Sequence, residues 1–228
     1  MKEDYDIDFG NFEIDDIDLD LFDVGEKQNA NSHICKPKLS LIKSSKVIYD
    51  NAIKLAKELF LDFGQRADII VSGNFIFGDF VEAYLRTWKV KCKEMIISTL
   101  SLSQEHIDRL KNLIDFGYID KLKILVSAYF YGHERNNLIK YIQKTIPDCE
   151  LGVAGIHTKT VQFHTAGGRK MVLHGSANLR SSGNIEQFTI EENPELYEFY
   201  KELFEKIIGE CGLSNIKRGK DLFNLIIQ

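Results

Sequence analysis

The sequence lacks the features that mark several specialised classes of protein. Only three prolines and 16 glycines occur in 228 residues, which excludes a collagen-like or low-complexity chain. No segment approaches the roughly 18 uninterrupted apolar residues of a membrane span. The first residues are charged and lead into no apolar core, so we predict no secretory signal. With 44% hydrophobic and 28% charged residues, the chain has the composition of a globular protein. We predict a cytoplasmic protein without a membrane partner.

Cysteine is also scarce and widely spaced. The four cysteines form no CxxC pair, which argues against a zinc site and against a disulfide framework. They are Cys35, Cys92, Cys149 and Cys211. We expect reduced thiols, as is usual in a cytosol, and the sequence predicts neither a metal site nor a cofactor.

Charge is unevenly distributed along the chain. Residues 1–27 contain eleven acidic and two basic residues, a net charge of −9, whereas the remainder carries +4. A segment this acidic repels itself and cannot pack alone. We therefore divide the chain into an acidic leader, residues 1–32, and a folded domain, residues 33–228.

The leader also contains apolar residues in alternation with acids. Ile17, Leu19 and Leu21 are separated by Asp18 and Asp20, a pattern that suits a segment docking on another surface. Two interpretations stay open: a solvated tail, or a segment of residues 1–27 that docks on a protein partner or on the domain's own basic groove.

Strands and helices alternate through the first part of the folded domain. We predict strands at residues 68–72, 95–98, 122–131 and 150–153, and helices at 44–61, 80–88, 103–116 and 135–145, with Asp79 as the N-cap of the second helix. This alternation predicts an α/β fold with a mixed, mostly parallel sheet and helices on both faces. Residues 156–163 and 170–174 then predict a hairpin, and a helix follows from Pro194.

Polar residues suited to phosphodiester chemistry concentrate around this hairpin. His157 and Lys159 are two residues apart, so on a strand they point to one face. Ser176 and Asn178 follow the second strand, which returns them beside the first pair, and Glu186 comes soon after. We predict that the imidazole attacks phosphorus or moves a proton, that the cation and amide neutralise phosphoryl oxygens, and that the carboxylate holds the imidazole tautomer.

Each short motif is a weak signal alone, but their order and spacing are specific. The run His157-Thr-Lys159, then Gly175-Ser-Ala-Asn178, then Asn184-Ile-Glu186 resembles the phospholipase D superfamily. The resemblance plausibly covers residues 45–208. It implies the superfamily's fold and a metal-independent phosphodiesterase whose histidine forms a phosphohistidine. It assigns catalytic roles to His157, Lys159, Asn178 and Glu186.

Two departures from the superfamily pattern carry information. His164 stands where the pattern has an aspartate, which the tyrosyl-DNA phosphodiesterases also lack, and strand parity puts His164 opposite His157. Only one motif is present, whereas single chains that do all the work carry two. Small single-motif members pair two chains around one site, so the resemblance implies a homodimer.

Basic residues near the motif indicate an anionic substrate. We assign substrate binding to four residues: Ser176, Arg180, Lys170 and His174. Further basic clusters at residues 86–93 and 217–220 could follow a phosphate backbone or be solvated surface charges. The favoured function is a nuclease acting on DNA or RNA. The alternatives are a non-cleaving scaffold or binding protein and a phosphodiesterase acting on lipid or another small substrate.

Overall fold

The apolar runs of the sequence form the strands of one mixed sheet. In the computed structural model, residues 41–44, 51–71, 75–179 and 184–227 are described. The strands are β1 (Leu41–Ser44), β2 (Gln65–Val71), β3 (Cys92–Thr99), β4 (Leu122–Ser127), β5 (Glu150–Ala154), β6 (Thr160–Thr165), β7 (Lys170–Gly175) and β8 (Glu186–Glu192). The helices are α1 (Ala52–Glu58), α2 (Phe77–Thr87), α3 (Gln104–Asp115), α4 (Ala128–Glu134), α5 (Leu138–Thr145), α6 (Pro194–Glu210) and α7 (Gly219–Ile227).

The strand order places the two reversed strands next to the centre of the sheet. Across the described part of the chain the order is β1-β2-β8-β7-β6-β3-β4-β5. The three outer pairs β1–β2, β3–β4 and β4–β5 are parallel, and the four remaining pairs are antiparallel. Only β6 and β8 therefore run against the other six strands of this sheet. The predicted α/β class with a mixed sheet is confirmed.

Helices cover both faces of the sheet, and alternate residues of β3 show the two layers. Met95 and Ile97 join the larger hydrophobic cluster, to which α1–α5 contribute. Ile96 points the other way and packs with Phe204 and Ile207 of α6. Burying a side chain such as Phe204 contributes about 2–3 kcal/mol. The two helical layers fix the position of the sheet, including the strand ends that carry the predicted site.

Local capping explains where two of the helices begin. Asn193 Oδ1 accepts a hydrogen bond from Leu196 N at 3.0 Å, and Pro194 follows at the first helical position, where its missing N–H is not needed. Ser127 Oγ accepts from Phe130 N at 3.0 Å and starts α4 directly after β4.

Several secondary-structure predictions were wrong in detail. Residues 128–131 form the first turns of α4 instead of extending β4, because Ser127 caps the helix. Asp79 lies inside the first turn of α2, whose N-cap is Ile76. The sequence analysis also missed β1, β8 and α7, and it began β6 four residues early. The helix predicted at 44–61 is shorter, since Ser44 ends β1 and α1 covers Ala52–Glu58. Residues 45–50, the acidic leader and Arg180 lie outside the described residues.

Candidate active site

Three strand ends bring the motif residues to one edge of the sheet. Strand β7 runs antiparallel to both β6 and β8, so β7 ends where the other two begin. The segment with His157 and Lys159 leads into β6, residues 176–178 follow β7, and Glu186 opens β8. Residues separated by up to 29 positions thus share one edge because of the antiparallel pairing.

His157 and Lys159 supply the imidazole and the ammonium of the site. The His157 side chain is exposed, and Lys159 is half-buried beside it. Lys159 Nζ lies 3.4 Å from His157 Nδ1 and 3.4 Å from the His157 carbonyl oxygen. Burial lowers the pKa of Lys159, although the nearby carboxylate of Glu186 opposes that shift. An ammonium with few fixed partners is suited to neutralise the oxygens of an incoming phosphate.

The backbone around this pair is held to the neighbouring strands. Gly175 N donates to Lys159 O at 3.3 Å. The hydroxyls of Thr158 and Ser98, at the end of β3, lie 2.5 Å apart. Motif spacing alone did not reveal the Ser98 contact, since Ser98 is distant in sequence and reaches the site only through the pairing of β3 with β6.

Gly175 is required by the close approach of β8. A Cβ atom at this position would lie 2.2 Å from the Gln187 carbonyl oxygen, which no side chain can tolerate. The same tight crossing lets Ser176 N donate to Gln187 O at 2.9 Å and lets Gln187 N donate to Ser176 Oγ at 3.0 Å. The Gly-Ser pair of the motif therefore joins the end of β7 to the start of β8.

Glu186 is hydrogen-bonded to Ser176. The Ser176 hydroxyl donates to Glu186 Oε2, and among the described contacts neither a hydrogen bond nor an ion pair joins Glu186 to His157. The predicted role of Glu186 in holding the imidazole stays a prediction. The structure shows that Ser176 orients the carboxylate at the site's edge.

Asn178 lies close to the core with an unused acceptor. Its Oδ1 atom is buried and has no hydrogen-bond partner in the part of the chain that the structure describes. The next residue, Leu179, is buried and its carbonyl accepts from Gly78 N at 3.2 Å, which joins the motif to the start of α2. This unsatisfied oxygen, next to the candidate site, is available to accept a hydrogen bond from a ligand.

His174 belongs to a histidine–carboxylate pair beside the motif. His174 Nε2 lies 3.0 Å from Glu191 Oε1, and Glu191 Oε2 accepts from Asn193 Nδ2 at 3.0 Å. Burial raises the pKa of Glu191, but hydrogen bonds from His174 and Asn193 outweigh that effect and leave the pKa lowered. The ionised carboxylate holds the His174 ring in one orientation.

The remaining predicted residues lie elsewhere. Lys170 is at the opposite end of β7, where its ammonium pairs with Glu198 and lies 5.7 Å from the centre of the Tyr197 ring. The structure does not bring it to the cluster. His164 pairs in register with Lys170 and Glu94 at that far end. Its pKa is lowered by burial and by nearby lysines.

The fold and this site together define a class of protein. It is an α/β protein whose sheet edge presents an imidazole, an ammonium, a hydroxyl, an amide and a carboxylate, a set suited to chemistry at phosphorus. No group of three or more His, Cys, Asp or Glu residues in the described ranges could hold a metal ion. No helix in those ranges is long and apolar enough to span a bilayer, and the described cysteines, Cys92, Cys149 and Cys211, are free thiols.

Comparison with known proteins gives similarities in fold. No protein-family model and no curated protein matches the chain. NucT from Helicobacter pylori is 16% identical, with 64% of this chain and 98% of that chain covered and a TM-score of 0.47. Nuc from Salmonella typhimurium, a phospholipase D family member, is 17% identical, with 53% and 81% covered and a TM-score of 0.43. Polyphosphate kinase from Porphyromonas gingivalis is 15% identical, with 66% of this chain covered and a TM-score of 0.49; the chain spans only 27% of that protein.

Proposed function

We propose that the protein is a metal-independent phosphodiesterase of the phospholipase D type, most specifically a nuclease, with His157 as the nucleophile. The observation that carries the proposal is the meeting of His157 and Lys159 with residues 175–178 and Glu186 at one sheet edge. The motif order in the sequence supports it independently. Glu186 is the one carboxylate of the motif, and the proposed mechanism needs no bound metal ion.

In the proposed mechanism, His157 attacks phosphorus and the P–O bond to the leaving group breaks. The new P–N bond gives a phosphohistidine, and the leaving oxygen takes a proton from an acid. A water molecule then attacks phosphorus, the P–N bond breaks, and the water's proton returns to a base. Lys159 neutralises the non-bridging oxygens through both steps, and the Asn178 amide binds one of them.

Attack requires a free lone pair on the imidazole. Lys159 Nζ lies beside Nδ1, so a neutral ring in this arrangement carries its proton on Nε2. A carboxylate accepting from Nδ1–H would free Nε2 for attack. We propose that Glu186 takes this role when substrate binds, by leaving Ser176.

We propose that the acid for the leaving oxygen comes from a second chain in a homodimer. The described chain has one such motif, and the mechanism needs two proton-transfer groups. The partner subunit's His157 would supply the second. Ile185, next to Glu186, supports the idea because it is a large apolar side chain that is 79% exposed at the edge of the site.

Nucleic acid is the proposed substrate because exposed cations also lie at the opposite end of the hairpin from the site, where a long anionic chain could reach them. Lys89, Lys91 and Lys93 are all exposed on the segment around the start of β3. Outside the leader the chain carries +4, and a row of lysines binds a phosphate backbone without reading sequence.

Cleavage assays in EDTA test the proposal directly. Labelled single- and double-stranded DNA and RNA are incubated with wild type, with His157→Ala, and with His164→Ala as a matched control at the other end of the same hairpin. We expect wild type and His164→Ala to cut, and His157→Ala to lose at least about 10³-fold in rate. A requirement for added magnesium would overturn the mechanism. Binding without cleavage would favour a scaffold, and cleavage of simple phosphodiesters alone would favour another phosphodiesterase.

A further inference from the structure

A pocket lies at the turn between β6 and β7, at the opposite end of the hairpin from the proposed cleavage site. Its cavity is about 320 Å³, within the range of small-ligand pockets. The floor is apolar, with Tyr84, Phe163 and Met171, and the rim carries Lys89, Lys91 and Arg169. Strand β6 separates this end of the hairpin from His157, a distance of roughly 20 Å at about 3.3 Å per residue.

Phe60 and Arg169 form one side of this pocket, which we call the hairpin pocket, and the Phe63 ring lies next to Arg169 outside the lining. The Arg169 guanidinium carbon lies 5.7 Å from the centre of the Phe60 ring and 5.5 Å from that of Phe63. Phe63 is 74% exposed and Phe60 39%. Trp88 packs against Phe60 with ring centres 4.8 Å apart.

The segment that carries the two rings is held in place. Arg169 Nη2 donates to Leu61 O at 2.6 Å, and Gly64 N donates to the buried Glu192 at 2.7 Å. Leu61, which lies between Phe60 and Phe63 in the sequence, is fully buried. The rings are therefore oriented before any ligand arrives, which lowers the entropic cost of binding.

The backbone at Lys89 shows that a cation is kept here at a conformational cost. Lys89 has φ +51°, in the left-handed region that favours glycine. It ends α2 in a Schellman arrangement, with Lys89 N donating to Arg86 O at 3.3 Å and Val90 N to Leu85 O at 2.8 Å. Glycine is the usual residue at this position and would be more stable there. Lys89, on the pocket rim, therefore carries backbone strain.

We propose that the hairpin pocket binds an unpaired base of a single-stranded nucleic acid together with its neighbouring phosphates. The apolar floor and the Phe60 ring stack on a flat base, and the three rim cations meet the phosphates. A base in a duplex is not free to enter such a cavity. The choice of a nucleic-acid strand as the source of the base rests on the proposed function, since a free nucleotide has the same chemistry.

The chain contains a built-in reporter for this pocket. Trp88 is its one tryptophan, and the Trp88 ring contacts Phe60. Binding is measured with full-length His157→Ala protein, so that no substrate is cut, by Trp88 emission and by the anisotropy of a labelled 12-nucleotide strand. Thymidine monophosphate and the same sequence as a duplex form the other two arms.

We expect the single strand to change the emission of Trp88 and to bind at least tenfold more tightly than either the duplex or the mononucleotide. Phe60→Ala should weaken strand binding, measured by anisotropy, about tenfold, since one base stack is lost. Phe116→Ala is the matched control: Phe116 is 67% exposed and has Arg86 5.6 Å from its ring centre, but it does not line the pocket. It should bind like the parent protein.

The Lys89→Gly variant distinguishes an effect on strand affinity from an effect on thermal stability. Because glycine relieves the left-handed strain, the thermal midpoint should rise, while strand affinity falls several-fold and the salt dependence becomes shallower. Equal affinity in Phe60→Ala and parent, or mononucleotide binding as tight as the strand, would overturn the inference. EDTA-resistant cleavage with an unresponsive Trp88 would reject this pocket alone, whereas strand binding by a chain that never cleaves would reject the proposed function alone.

Discussion

At the scale of single residues, the hydroxyl of Ser176 decides what Glu186 does in the unliganded site. Ser176 Oγ donates to the carboxylate and also accepts from Gln187 N. Among the described contacts, Glu186 is thus held by Ser176 and not by the imidazole that it is proposed to orient. Substrate binding would have to exchange one partner for the other, which makes the carboxylate a positioning group.

The Glu186→Gln variant tests that role. The amide cannot stabilise a protonated imidazole, so we predict that kcat falls about 10²-fold while thermal stability and affinity for an uncleaved strand stay near wild type. Ser176→Ala, which frees the carboxylate, serves as the comparison and should keep more activity than Glu186→Gln. Full activity in Glu186→Gln would show that the role is assigned to the wrong residue.

At the scale of elements, an ionic network attaches α6 to the sheet. Glu94 of β3 is only 8% exposed. It accepts from Lys201 Nζ at 2.7 Å and from the Tyr197 hydroxyl at 3.2 Å, both on α6, and Lys123 Nζ of β4 lies 3.1 Å away. Burial raises the pKa of Glu94, but its hydrogen bonds to the two lysines outweigh burial and leave the pKa below its usual value. The charge of Glu94, together with the apolar face of α6, sets where that helix packs on the sheet.

This network predicts both a stability loss and its pH dependence. Glu94→Gln leaves the buried Lys123 ammonium and the partly exposed Lys201 ammonium with less compensation, so we expect a loss of about 3 kcal/mol and a fall in Tm of roughly 5–10 °C at pH 7. A group with a lowered folded pKa stabilises the protein above its unfolded pKa, near 4.5, and that contribution is lost as pH falls through the folded value.

Thermal unfolding from pH 7 to pH 3 measures both effects. The gap between wild type and Glu94→Gln should narrow on acidification, and Glu202→Gln, at an exposed position of α6, should behave like wild type throughout. A constant gap across the range would show that the Glu94 charge is not what matters.

At the scale of the whole molecule, assembly is the first prediction. We expect active protein to have twice the chain mass of 26.2 kDa in solution, because one motif supplies one of two proton-transfer groups. Adding His157→Ala chains to a fixed amount of wild type should reduce activity, since mixed dimers lack the second histidine. Ile185→Lys should favour monomers, and Phe116→Lys should not. Full activity in a strict monomer would refute the shared site.

The acidic leader is the second feature at this scale. Removing residues 1–30 changes the formal net charge from −5 to +4, so we predict tighter binding of nucleic acid at low salt and a gain that shrinks as salt rises. Changing Ile17, Leu19 and Leu21 to serine in the full chain is the control, because it keeps the charge. If affinity at low salt is the same with and without the leader, docking on a protein partner becomes the better interpretation.

The sequence by itself determined most of the elements and the membership of the candidate site. Apolar runs and helical periodicity are local, so β2–β5, the hairpin and α6 were found within a few residues. Residues 128–131 were misread because their apolar side chains suit a strand as well as a helix, and only the Ser127 cap distinguishes them. The motif could be read because its residues lie within 30 positions of one another.

Only the tertiary structure decided how distant segments meet. Strand order brings Ser98 to Thr158 and Gln187 to Ser176, and it sends Lys170 to the far end of the hairpin. Phe60 and Arg169 are more than 100 residues apart, so no local pattern announces the hairpin pocket. The physical reason is that periodicity reports which residues are buried, whereas the pairing of strands, which depends on the whole chain's packing, decides which side chains share a surface.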